Sequence, residues 1–174
     1  NSMVNAKPAA GGLLEIERFA IHAAMVESID RSLAQTMTAL EKAGKRENTL
    51  ILVLSDNGAS HQMAFDNSRK LLDGVRPGSA DSFLNQGPAV AALNNVPFRN
   101  YKASDYEGGI ASPLVAWWPA GLESKGGISH RLTHIADIMP TCLELAGVRH
   151  PDEFDGRAVI PLDGTSFVSA LRNP

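Results

Sequence analysis

The chain has 174 residues, enough for one domain with a real core but little room for two. Hydrophobic residues make up 44% and charged residues 20%, an ordinary globular balance that excludes disordered and fibrous classes. A net charge of −3 and the lack of any Lys/Arg run exclude an electrostatic footprint for nucleic acid. No apolar run is longer than the five residues of Leu50 to Leu54, far short of the roughly 20 residues of a membrane span.

Asn1 to Gly12 is small and polar with two adjacent glycines, and a disordered N-terminal segment is expected over residues 1–12. It has no basic region leading into an apolar one, so no signal peptide is visible, and compartment stays open. Leu13 to Ala43 then predicts one long helix. Ile16, Phe19, Ala20, Ala23, Val26, Ile29, Leu33, Met37 and Leu40 recur at three- and four-residue steps, with Glu27, Asp30, Arg31 and Gln35 opposite. Gly44 suits the position just past its end, and Lys42 suits the negative end of the helix dipole.

A charged turn, Lys45 to Asn48, leads into Thr49-Leu50-Ile51-Leu52-Val53-Leu54. A continuous β-branched and apolar run without alternation predicts a strand covered on both faces. Helix, short turn and buried strand together predict an α/β fold, a layered and mostly parallel sheet flanked by helices. Ser55-Asp56-Asn57-Gly58 stands at the C-terminal end of that strand, the edge where open α/β sheets bind ligands.

Ala59 to Asn100 shows no sustained period; Gly74 to Gly78 is turn-like, and Ala89 to Leu93 is compatible with a helical turn. Order returns with Glu107-Gly108-Gly109-Ile110-Ala111 and a second buried strand from Pro113 to Pro119. Ile128 to Ile135 reads as a short strand or an extended arm. Asp137 is expected to cap a helix through Ala146, with Pro140 in its first turn and Gly147 at its end. Gly164 to Leu171 reads as a last short helix. The single cysteine, Cys142, excludes an intrachain disulfide and is expected as a buried, inert thiol on an apolar helix face.

Asp56 and Asn57 offer a carboxylate and an amide carbonyl, hard oxygen donors suited to Ca²⁺ or Mg²⁺. The same residues make an ordinary turn, because each tolerates left-handed backbone, and the tetrapeptide alone does not separate the two readings. Lys102, six residues before Gly108-Gly109, reads either as a point charge for an anionic group or as a solvated surface lysine. His61 reads as a proton donor at the same mouth or as a loop histidine. His130 and His134 have a metal-compatible spacing on a helix but no third ligand nearby, which favours a structural role.

Taken together, the segments resemble one family. Ser55-Asp56-Asn57-Gly58, Pro97-Phe98-Arg99, Tyr101-Lys102, Tyr106-Glu107-Gly108-Gly109-Ile110, Pro113-Leu114, Trp118-Pro119 and His134-Ile135-Ala136-Asp137-Ile138-Met139-Pro140-Thr141 follow the order seen in type I sulfatases, particularly arylsulfatases. Ala23 to Asp30 resembles the helix before the family's metal strand, and Leu162 to Phe167 the segment closing its catalytic domain. The resemblance implies membership of the alkaline phosphatase superfamily and hydrolysis of small-molecule or saccharide sulfate esters. It implies Asp56 and Asn57 as ligands of a divalent cation, Ca²⁺ with Mg²⁺ as the alternative, and Lys102 as the catalytic, sulfate-contacting lysine. Glu107, His134 and Asp137 are implied to be structural. By resemblance the compartment is periplasmic or secreted.

One part of the pattern is missing. The family's nucleophile is a formylglycine made within C/S-x-P-x-R, and this motif does not occur here; Cys142 stands in Thr-Cys-Leu-Glu-Leu. Nor does the chain carry the paired aspartates or the upstream histidines and lysine of the family's site. Residues 13–174 are therefore expected to form a central-to-C-terminal part of the catalytic domain, inactive alone. Exposed apolar edges of such a piece predict self-association. The alternatives are a phosphate or phosphonate ester hydrolase of the same superfamily, or a non-catalytic binding or assembly fragment.

Overall fold

The computed structural model describes residues 10–62, 75–82, 85–123 and 126–172. Their order is helix α1 (Ala10–Lys42), a 3₁₀ turn (Arg46–Asn48), strand β1 (Ile51–Leu54), helices α2 (Gly87–Asn94) and α3 (Glu107–Ile110), and strand β2 (Leu114–Trp117). A second 3₁₀ turn (Ile135–Asp137), helix α4 (Ile138–Ala146), strands β3 (Glu153–Phe154) and β4 (Arg157–Ala158), and helix α5 (Val168–Arg172) complete it. Two compact units share these elements, one from α1 with Leu54–Leu114 and one from Gly44–Val53 with Val115 onward.

In the first unit, α1 begins at Ala10, so residues 10–12 of the expected disordered segment are helical; residues 1–9 lie outside the described set. At 33 residues it is about 50 Å long, more than its surroundings cover. The apolar stripe read from the sequence is only partly covered: Ile16, Phe19, Val26 and Ile29 stay exposed, while Leu33, Met37 and Leu40 are half-buried. Helix α2 opens on Gly87-Pro88, where proline's missing N–H costs no hydrogen bond, and it buries Val90 and Ala91. The region expected to be irregular thus contains a true two-turn helix. The turn expected at Gly74 to Gly78 is described only from Val75 onward.

The second unit holds both two-stranded sheets, apart from end residues Leu54 and Leu114. Strand β1 neighbours β2, and β3 pairs antiparallel with β4 through Glu153–Ala158 and Phe154–Arg157. Helices and strands mix as expected, but a layered parallel sheet is not among the described elements. The expectation that both faces of β1 are covered is corrected by the exposure of its end: Val53 and Leu54 are exposed, and Val115 of β2 more so. The 3₁₀ turn before β1 is joined to the end of β2. Trp118 Nε1 donates to Asn48 Oδ1 at 3.2 Å, Ala120 N–H donates to the Glu47 carbonyl at 2.9 Å, and Arg46 stacks over the Trp117 ring.

Ile128 to His134 forms neither helix nor strand, with Leu132 fully exposed. Asp137 does not cap α4 with its side chain. It closes a capping box around the 3₁₀ turn, Oδ2 accepting from His134 N–H at 2.8 Å while His134 Nδ1 accepts from Ala136 N–H at 3.1 Å. Its other oxygen accepts from Thr165 N–H at 2.7 Å. These two backbone N–H donors, with the nearby His134 ring adding to their effect, hold the Asp137 carboxyl below the usual aspartate range.

Helix α4 ends as expected at Gly147, whose φ of 65° belongs to the left-handed region. Val148 N–H reaches the Leu143 carbonyl and Gly147 N–H the Glu144 carbonyl, which satisfies the last turn. The helix buries Thr141 and leaves Cys142 exposed, which corrects the expected buried thiol. The cause is polar. Thr141 Oγ1 donates to the Asp137 carbonyl at 2.6 Å and accepts from Phe167 N–H at 3.0 Å, and this fixes which face of α4 turns inward. Phe167 and Val168 are buried beside it, and the last helix is shorter than expected, starting only at Val168.

Candidate functional site

All three predicted site residues lie in the first unit. Asp56 lies two residues past the end of β1 and is exposed, Asn57 is half-buried, and Lys102 is half-buried. The Ser55 hydroxyl donates to the Asn57 carbonyl at 2.8 Å, folding the turn back on itself. Asn57 Nδ2 donates to the Gly58 carbonyl at 3.1 Å, which orients the amide and leaves its oxygen as the acceptor end.

The strand-exit loop is laced to the segment that carries Lys102. Gly58 N–H donates to the Gly109 carbonyl at 3.0 Å, and Lys102 N–H donates to the Ala59 carbonyl at 3.0 Å. A Cβ on Gly58 would collide with the backbone carbonyl of Gly108, so only glycine lets the two strands of chain approach this closely. Gly108 and Gly109 are themselves buried, and Gly108 N–H donates to the Arg99 carbonyl at 2.9 Å. The Gly-Gly pair therefore serves packing at this junction.

Two further residues complete the junction. Asn95 Oδ1 accepts from Ala59 N–H at 3.2 Å, and its Nδ2 donates to the Asn100 carbonyl at 3.0 Å. Nothing in the irregular stretch singled out this residue. The only available signal is its place just after α2, where Asn caps helices. His61 stacks on Tyr101, ring centroids 4.4 Å apart and 24° between planes, with Nδ1 buried and unpartnered. The histidine that the sequence left undecided is thus a packing partner of the residue before Lys102.

The backbone around Lys102 is unusual. Asn100 at φ 63° and Ala103 at φ 68° both occupy the left-handed region, which is costly for alanine. Arg99 lies over the Tyr106 ring at 4.3 Å and steadies the far side of this loop. Glu107 is exposed and only begins α3, its backbone carbonyl accepting from Ala111 N–H at 2.8 Å. His134 is committed to its capping box in the other unit, and His130 is exposed.

The donors fit a hard divalent cation in kind: a carboxylate and an amide oxygen, adjacent in sequence, with no softer ligand between them. They do not complete one. Among the described residues, no group of three or more His, Cys, Asp or Glu side chains gathers to hold a metal. Among the same residues, no helix is long and apolar enough to cross a membrane.

The sulfatase family model matches residues 8–148. A sulfatase of Schizosaccharomyces pombe is 34% identical over 163 residues, 85% of this chain and 28% of that protein. The arylsulfatase of Klebsiella aerogenes is 31% identical over 160 residues, 84% of this chain and 33% of its own length. The N-acetylgalactosamine-6-sulfatase of Rattus norvegicus is 30% identical over 138 residues, 78% of this chain and 22% of its own length. The chain thus spans no more than a third of these relatives, and it belongs to the sulfatase family.

Proposed function

We propose that the loop from Asp56 to Gly58 and the segment at Lys102 form one half of a site that hydrolyses sulfate esters. In this reading Asp56 and Asn57 are two ligands of a divalent cation, Ca²⁺ or Mg²⁺, and Lys102 contacts the sulfate. A bound cation would supply positive charge where negative charge develops in the transition state. Lys102 adds a second positive charge, directed by a loop that holds its backbone still. The observation that carries the reading is the lacing of the two segments, Lys102 N–H to Ala59 O and Gly58 N–H to Gly109 O, each at 3.0 Å. The left-handed Ala103 supports it, since such backbone persists where the surroundings enforce it and is common at functional sites.

Residues 13–174 are, in this reading, a central-to-C-terminal part of a layered α/β catalytic domain. The formylglycine motif is missing from the sequence, so the chain alone turns over no ester. The substrate class is a small-molecule or saccharide sulfate ester, as the names of the arylsulfatase and N-acetylgalactosamine-6-sulfatase relatives suggest. Exposed apolar residues on α1 and the half-covered strands lead the isolated chain to self-associate.

The test is binding of an aryl sulfate to the chain in Ca²⁺ buffer, followed by NMR. Shifts should centre on Asp56 to Gly58 and Lys102 and should weaken in Lys102→Ala. Equal binding by the variant, or hydrolysis by the chain above that variant's background, would refute the reading.

A further inference from the structure

We propose that Asn57 is a self-modification site, an asparagine that deamidates through the Gly58 backbone and is held in check by the closed junction between Gly58 and Gly109. Asn57-Gly58 is the sole Asn-Gly pair in the sequence. A glycine after asparagine carries no side chain to hinder its own nitrogen from reaching the side-chain carbonyl carbon. In the reaction the Gly58 nitrogen loses its proton and attacks Asn57 Cγ. The N–Cγ bond forms, the Cγ–Nδ2 bond breaks, and ammonia leaves with the proton. Water then opens the cyclic imide at either carbonyl and gives aspartate or isoaspartate. Water is taken up, ammonia is released, and nothing is oxidised or reduced.

The structure both primes and locks these atoms. The Ser55 hydroxyl donates to the Asn57 carbonyl at 2.8 Å. That carbonyl shares a peptide group with the Gly58 nitrogen, so the bond favours the negative charge the group takes on when the nitrogen loses its proton. Three contacts oppose the reaction. Gly58 N–H donates to the Gly109 carbonyl at 3.0 Å, an acceptor too weakly basic to take the proton. Asn57 Nδ2, the group that has to leave, donates to the Gly58 carbonyl at 3.1 Å. Gly58 also sits hard against the Gly108 carbonyl, so swinging its peptide toward the Asn57 side chain means parting the two segments.

Deamidation therefore proceeds from the locally open junction, at a rate set by how often the junction opens. Asn95 is the side chain that keeps it shut, accepting from Ala59 N–H at 3.2 Å and donating to the Asn100 carbonyl at 3.0 Å. The product carries a second carboxylate beside Asp56, and in the isoaspartate form a backbone lengthened by one methylene. The chemistry belongs to the Asn-Gly pair and its lock, and it holds whether or not Asn57 binds a cation.

The chain is incubated near neutral pH in its native state, in denaturant and as the Asn95→Ala variant, and peptide mass spectrometry follows conversion at residue 57. Isoaspartate should form there in denaturant, because only the imide yields it. The native chain should convert about tenfold more slowly or less, the protection that a modest opening free energy gives, and Asn95→Ala should fall between the two. Native conversion as fast as in denaturant, aspartate without isoaspartate, or an Asn95→Ala rate equal to the native one overturns the proposal. If the variant does not fold, hydrogen exchange at Gly58 N–H of the unsubstituted chain in mild denaturant decides. Conversion at Asn57 should rise in step with that exchange, and exchange that rises while conversion stays flat contradicts the lock.

Discussion

Lys102 is joined to Ala59 through its own backbone, its N–H donating to the Ala59 carbonyl at 3.0 Å. The bond fixes the lysine's Cα beside a residue three positions past Asp56, whatever the flexible side chain does. Gly58 makes this possible, because its missing side chain lets the loop close on Gly108 and Gly109. Replacing Gly58 with alanine should cost about 1–3 kcal/mol or more, the range for forcing an extra methyl into packed structure. The cost is larger if the junction opens rather than shifts. Denaturant unfolding of Gly58→Ala measures it, and a stability equal to wild type would mean that the loop closes some other way.

Thr141 makes a second close test. It is fully buried, donates to Asp137 and accepts from Phe167 N–H. Thr141→Val keeps the shape but strands the Phe167 N–H, so a loss of about 1–3 kcal/mol is expected, whereas Thr141→Ser keeps both bonds. A valine variant as stable as the serine one would show that the packing, and not the hydroxyl, holds Phe167 in place.

Asp137 gives the pH dependence. Two backbone N–H donors, from Thr165 and His134, depress its folded-state pKa below the unfolded value. A depressed carboxyl adds stability that is fully present above the unfolded pKa, near 3.9, and is lost as pH falls through the folded value. The stability gap between wild type and Asp137→Asn should therefore be constant near neutrality and narrow below about pH 4. Thermal unfolding across pH 2 to 7 reads it, and a gap that does not narrow in acid contradicts the assignment.

Cys142 is exposed on α4, so it should react with a thiol reagent in the native chain as fast as it does in denaturant. Protection from the reagent without denaturant would show that something covers this face in solution.

The contrast between Thr141 and Cys142 shows what the sequence made legible and what it did not. The apolar run ending in Ser55-Asp56-Asn57-Gly58 announced a strand with a polar end, because pattern and composition there are local. Helix α4 and its glycine stop were legible for the same reason. The face that α4 buries was not, because it is set by hydrogen bonds from Thr141 to residues as far away as Phe167. Asn95 and Ala59 meet across 36 positions with no periodic signal to announce it. The stripe on α1 was read correctly as apolar, but an apolar stripe reports what a helix seeks to bury and not what the chain provides to bury it.

The central claim is that Asp56 and Asn57 hold a divalent cation beside Lys102. Paramagnetic broadening by Mn²⁺ detects even weak binding and tests the claim most directly. Added Mn²⁺ should selectively broaden the amide signals of Asp56, Asn57 and Gly58, then those of Ala59 and Lys102, and excess Ca²⁺ should reverse the effect. Asp56→Ala should abolish it. Broadening spread over the other surface carboxylates, or unchanged in Asp56→Ala, would contradict the account.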